Sequence, residues 1–166
     1  MTALNNILLM VKSAIDETRR ISKNLHPSVL DDLGLKAAIR DLIGEFRGIY
    51  PTIAIRCSVD IDETEMPDAL KILIYRVCQE ALTNIGKHSH AGHADLELLM
   101  ASEKVVLEIK DDGIGIQQAS SAAEPNDGFR FGLLNIHERI DLTGGRLEIR
   151  SESGQGMYLR ADWPLR

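Results

Sequence analysis

Three side chains spaced by four and three positions, Glu80, Asn84 and Lys87, set a carboxylate, a neutral amide and a cation along one line of a helix. The helix is legible from Leu70, Ile74, Val77, Ala81 and Ile85, which recur at i, i+3/i+4 spacing behind Pro67, a residue tolerated in a first helical turn. Such a trio suits chemistry at a metal–phosphate group. The carboxylate would orient or deprotonate an attacking group, the amide oxygen would ligate Mg²⁺, and the cation would meet phosphate. A solvated charged face is the plainer account of the same spacing.

A second stretch adds weight to the chemical account. Val105, Leu107 and Ile109 alternate as a strand and run into Asp111-Asp112-Gly113-Ile114-Gly115, a tight turn with an acid at its start. Glycines there permit close backbone approach to a ligand, and a buried Asp accepts a hydrogen bond from an exocyclic amine. Further on come Gly128-Phe129-Arg130-Phe131-Gly132-Leu133 and then Gly154-Gln155-Gly156 before a last strand. One G-x-G is weak; the ordered set E-x-x-x-N-x-x-K-H, D-x-G-x-G, a glycine-started helix and G-x-G is specific.

In these boxes the chain resembles the ATP-binding domain of sensor histidine kinases, part of the wider group that includes gyrase and MutL. Leu25-His26-Pro27-Ser28-Val29-Leu30-Asp31-Asp32-Leu33-Gly34-Leu35 is similar to the L-x-P-x-x-L-D-x-L-G-L segment of the nitrate/nitrite-sensor-like subfamily. The likeness covers nearly the whole chain from about Ile15. It implies a Bergerat-type two-layer α/β sandwich, with a mixed sheet covered by helices on one face and preceded by a dimerisation helix. Residues 1–26 would be the second helix of the dimerisation and phosphotransfer hairpin, and 27–166 the catalytic domain.

The resemblance also implies roles. Asn84 would ligate Mg²⁺ and Glu80 would be catalytic. Lys87 and His88 would face the phosphates of ATP, and Asp111 would accept from the adenine amine. Gly113 and Gly115 would let the backbone pass the base, Gly128 and Gly132 would frame the lid, and amides from Leu133 onward would meet phosphate. Gly156 completes the ATP-binding set. The expected reaction is transfer of the γ-phosphoryl to a histidine and then to an aspartate of a response regulator receiver domain. The expected assembly is a homodimer through the N-terminal helix. Two departures stand out: Asp112 where Asn is usual, and Met157 where Thr is frequent, which removes a hydroxyl from the base site. Rival readings are a degenerate nucleotide-binding or conformational-relay module and an anti-sigma-type serine kinase.

The rest of the chain supplies the frame for these residues. Leu4, Leu8, Val11, Ile15, Thr18, Ser22 and Leu25 form one helical seam that wants a partner helix. The phosphoacceptor hairpin's first helix is expected to lie outside this chain. His26 is disfavoured as the acceptor, because Pro27 pushes it out of the α region. Asp31 or Asp32 can cap a next helix whose apolar face is Leu33, Leu35, Ala38, Ile39, Leu42, Ile43 and Phe46. Strands are expected at Ile53–Val59, Leu96–Met100, Val105–Ile109, Leu147–Ile149 and Met157–Trp163. An acidic link covers 60–68, and a loop without periodicity covers Gln117 to Arg130, expected to order on nucleotide binding. The helix after it starts at Leu133 and ends near Gly144-Gly145.

The 166 residues carry 19 basic and 25 acidic side chains, a formal charge of −6. That disfavours a nucleic-acid surface, which needs a basic patch. Cys57 and Cys78 lack metal or redox spacing and suit buried thiols of a reducing, cytoplasmic compartment. Ile7-Leu8-Leu9-Met10-Val11 is too short to span a bilayer, so no direct membrane contact is expected and any anchor of a parent protein lies outside this chain. His88, His90 and His93 do not follow a zinc pattern.

Overall fold

The computed structural model describes residues 28–101, 103–115 and 127–165. The expectations for the N-terminal seam, for His26 and for most of the 117–130 loop fall outside those residues. Five strands form one mixed sheet: β1 (Ala54–Asp60), β2 (His93–Ala101), β3 (Lys104–Asp111), β4 (Arg146–Ser151) and β5 (Met157–Pro164). Their spatial order is β1-β2-β3-β5-β4, with β1 and β2 parallel and every other neighbour antiparallel. All five lie where the period-2 alternation placed them.

The helices are α1 (Ser28–Ile49), α2 (Asp68–Asn84) and α3 (Asp127–Leu142). The parallel β1–β2 pair requires a long crossover, and α2 supplies it. Helix α2 packs on α1, on α3 and on β3, so it is the spine of the helical layer. Its stripe Leu70, Ile74, Val77, Ala81 and Ile85 is buried, as the spacing required. Against it lie Leu96, Leu98, Leu107, Ile109 and Leu159 from the inner sheet face, with Trp163 closing one end over Gly145.

The outer face follows the opposite residues of each strand. Arg56 pairs with Asp95 at 2.6 Å, Lys104 with Asp162 at 3.0 Å, and Arg160 with Glu108. Across the register, Arg56, Asp95, Lys110, Tyr158 and Arg150 stand in one row from edge to edge. Charge on that face explains why helices cover only one side.

Two local features differ from the expectation. Helix α1 is broken at Gly34, whose φ of 82° is left-handed. Leu33 therefore leaves the apolar face and is exposed, while Leu35 is fully buried. The amides that open the following helical segment are met from a distant part of the chain. The Glu63 carboxylate accepts hydrogen bonds from the Leu35 amide at 2.6 Å and the Lys36 amide at 2.8 Å. Glu63 belongs to a 3₁₀ turn (Glu63–Glu65), itself capped by Asp62, within what read as a plain acidic link. Helix α3 begins at Asp127, six positions before Leu133, so Gly128 and Gly132 sit inside it rather than around a loop.

Candidate nucleotide site

Helix α2 ends at Asn84 and widens into a π-helical turn, Ile85–Ser89. Asn84 is 3% exposed, and its Nδ2 has no hydrogen-bond partner among the described residues. A buried amide in that state costs stability unless a further group completes it. Gly132 of α3 lies directly above. A Cβ at that position would overlap the Glu80 carboxylate and approach Asn84 Nδ2 to 3.4 Å. The structure thus brings Glu80 and Asn84 together under α3, with only glycine able to pass over them. Lys87 and His88 ride on the π turn, so the α-helical spacing that aligned Lys87 with Asn84 stops at Asn84. Lys87 is exposed and His88 half-buried.

Asp111 ends β3 and is also 3% exposed. Its Oδ1 accepts from the Gly113 amide at 2.9 Å. Burial pushes its carboxyl pKa up, against the opposing pull of the Gly113 and Met157 amides. Gly156 has φ 80°, and a Cβ there would strike the Asp111 carbonyl. A Cβ on Gly113 would likewise strike the Ser89 carbonyl, and Gly115 is hemmed in by the Glu152 carbonyl and Ser151. Glycines at these points let β3, β5 and the π turn converge on one acid.

A hydrogen bond joins the two halves of the site: the Ile114 amide donates to the Ser89 carbonyl at 2.8 Å. On its other side Ile114 accepts from the Gly154 amide at 2.8 Å. Asp112 works outward. Its Oδ1 accepts from the Gly92 and His93 amides, each at 2.8 Å, and its Oδ2 faces His93 Nδ1 at 3.0 Å. Those hydrogen bonds, the His93 amide first, hold the Asp112 carboxyl below its usual range. The Asp in place of the usual Asn therefore clamps the turn to the start of β2.

Gly128 lies in the first turn of α3 and Leu133 further along it. The N-terminus of α3 is thus at Asp127. Amides around Leu133 are interior to the helix, where intrahelical bonding occupies them, so they do not form the phosphate-facing helix start expected from the glycines. Sequence reasoning missed Glu63, Ser89 and Tyr50, whose ring lies against Gly86 in the π turn. Only Gly86, an α-helix-disfavouring residue in the middle of the box, signals that contact in sequence.

A mixed sheet under three helices, with a buried acid at the end of one strand and a buried amide at the end of the facing helix, defines a nucleotide-binding α/β domain. Residues 69–166 match the family described as histidine kinase-, DNA gyrase B-, and HSP90-like ATPase, and the chain belongs to that family. It is 37% identical over 143 residues to the signal transduction histidine-protein kinase/phosphatase UhpB of Salmonella typhimurium, covering 84% of this chain and 27% of that protein. It is 30% identical over 151 residues to the oxygen sensor histidine kinase NreB of Staphylococcus carnosus, covering 91% of this chain and 42% of that protein. The chain thus spans less than half the length of these relatives. Among solved structures, the histidine kinase domain of a blue-light activated kinase from Erythrobacter litoralis EL346 has the same fold, with TM-score 0.60 and 22% identity over 79% of this chain and 64% of that one. Acinetobacter baumannii AdeS shares it at TM-score 0.59 and 16% identity, over 99% of this chain and 83% of that one. Among the described residues no helix is long and apolar enough to cross a membrane.

Proposed function

We propose that this chain is the Mg-ATP-binding catalytic part of a two-component sensor histidine kinase. The observation that carries the reading is the buried, incompletely bonded amide of Asn84 beside Glu80. The two ends of an amide interchange by a half-turn, so Asn84 can offer its oxygen to a cation or its NH₂ to a phosphate oxygen. The donor set is oxygen-rich and contains no thiolate, which fits Mg²⁺ better than a soft metal. When bound there, Mg²⁺ would neutralise charge on the phosphates.

The protein's own groups then divide the work. Asn84 holds the cation and Glu80 orients the attacking imidazole or takes its proton. Lys87 and His88 attract the phosphates, and Asp111 accepts from the adenine amine. Gly113, Gly115 and Gly156 leave room for the base, while Gly128, Gly132 and Leu133 place α3 and the preceding lid over the phosphates. The γ-phosphoryl would pass to a histidine and then to a receiver-domain aspartate. Dimerisation through the N-terminal helix would present that histidine.

Calorimetry with Mg-ATP tests the reading. The wild type should bind, and Asn84→Ala should weaken binding by at least about tenfold, or ~1.4 kcal/mol, while the fold survives. Unchanged affinity in Asn84→Ala would refute the assignment. No binding by the wild type would leave only a conformational-relay module.

A second expectation concerns self-labelling. Incubated alone with γ-labelled ATP, the chain should acquire no acid-labile phosphate at His26, because a following proline disfavours the α region there. Label that disappears in His26→Ala would overturn this.

A further inference from the structure

We propose that Tyr50 is a positioning residue for the phosphate-facing half of the nucleotide site, acting through Gly86. The inference rests on the Mg-ATP reading above and extends it to a residue outside every motif box. Tyr50 is the first residue after α1. Its amide donates to the Phe46 carbonyl at 2.8 Å, and its carbonyl accepts from the Ile53 amide at 3.1 Å. Its ring packs on Phe46, with centroids 5.1 Å apart and planes tilted by 40°. The ring is therefore held by its own backbone and by a neighbour buried in the core.

That fixed ring fills the place a side chain would take at position 86. A Cβ on Gly86 would lie 2.8 Å from Tyr50 Cδ2 and still closer to Cε2 and Cζ. Gly86 is the second residue of the π turn, two after Asn84 and immediately before Lys87 and His88. A π turn is less favourable than the α-helix it replaces and persists only where its surroundings hold it. Three contacts bear on it directly among those described. Ser89 Oγ donates to the Ile85 carbonyl at 2.7 Å, the Ile114 amide donates to the Ser89 carbonyl, and the Tyr50 ring lies under Gly86. The first two fix the end of the turn. Tyr50 alone of the three meets its middle, where the chain passes from Asn84 to Lys87. The contact is made by ring carbons, so the aromatic ring, not the hydroxyl, is the working part.

The test is a mutant cycle in the full chain, read by Mg-ATP calorimetry and by amide hydrogen exchange without nucleotide. Gly86→Ala should weaken Mg-ATP binding by about tenfold. Tyr50→Phe should bind as wild type does. Tyr50→Leu should weaken binding severalfold, and Tyr50→Leu/Gly86→Ala should bind more tightly than Gly86→Ala, because leucine vacates the space the new methyl needs. Amides of residues 87–89 should exchange faster in Gly86→Ala and Tyr50→Leu, while those of β3 and β5 keep their protection. A purely structural ring would instead lower thermal stability in Tyr50→Leu with affinity and turn exchange unchanged, and that result would overturn the assignment. Absence of Mg-ATP binding by the wild type would remove the functional reading itself. Binding by the wild type with an unaltered Tyr50→Leu would remove the Tyr50 role alone.

Discussion

Asp111 carries its carboxyl buried, at a cost to the charged form. Burial raises its folded pKa above the ordinary 3.8. A raised carboxyl favours the protonated folded form, so its contribution is fully present below the unfolded value and is lost as pH rises through the folded one. Asp111→Asn removes that penalty while keeping an oxygen for the Gly113 and Met157 amides. The nucleotide-free mutant should melt higher than wild type at pH 7, and the gap should close near pH 3. The same mutant should bind ADP more weakly, since an amide places a donor where the adenine amine needs an acceptor. A thermal scan across pH with ADP titration checks both; a lower melting point at neutral pH would count against the reading. At this scale Glu80, Asn84 and Asp111 were legible because each sits at a fixed offset from an apolar stripe or at the end of an alternation. Tyr50 was not, because its partner Gly86 lies far along the chain and no local pattern links them.

Elements were legible in their interiors and less so at their ends. The alternation at Leu96–Met100 or Val105–Ile109 fixes a strand whatever surrounds it. A helix end depends on which group satisfies its free amides, and for α1 that group arrives from the 3₁₀ turn at Glu63. Likewise Gly128 and Gly132 read as the frame of a lid ahead of a helix starting at Leu133, yet both lie within α3, and Glu80 leaves no room for a Cβ at 132. Removing the α1 cap by Glu63→Gln should cost about 1 kcal/mol. Gly34→Ala should cost at least as much, roughly 1 kcal/mol or more, because φ is 82° and the new Cβ would lie 2.5 Å from Glu63 Oε2. Urea midpoints measure both. A wild-type midpoint in Gly34→Ala would show that the break in α1 is dispensable.

Over the whole molecule, the strands do not share one kind of pairing. Strands β2, β3, β5 and β4 are antiparallel neighbours, whereas β1 joins at the edge in parallel. A parallel pair is slightly less stable per residue than an antiparallel one, and an edge strand is hydrogen-bonded on one side alone. Strand β1 should therefore be the weakest seam of the sheet, and α1, which packs on it, should open with it. Native-state hydrogen exchange at rising urea should release β1 and α1 amides before those of β3 and β5; simultaneous release would contradict this. Such an opening divides the proposed site in two. Asp111 and its glycine turn stay on the antiparallel strands, while Tyr50 leaves with α1 and the turn bearing Lys87 loses its support. On the proposed site assignment, the half-open protein would still hold a nucleoside by its base and would have let go of its phosphates, so a spent nucleotide could depart tail first.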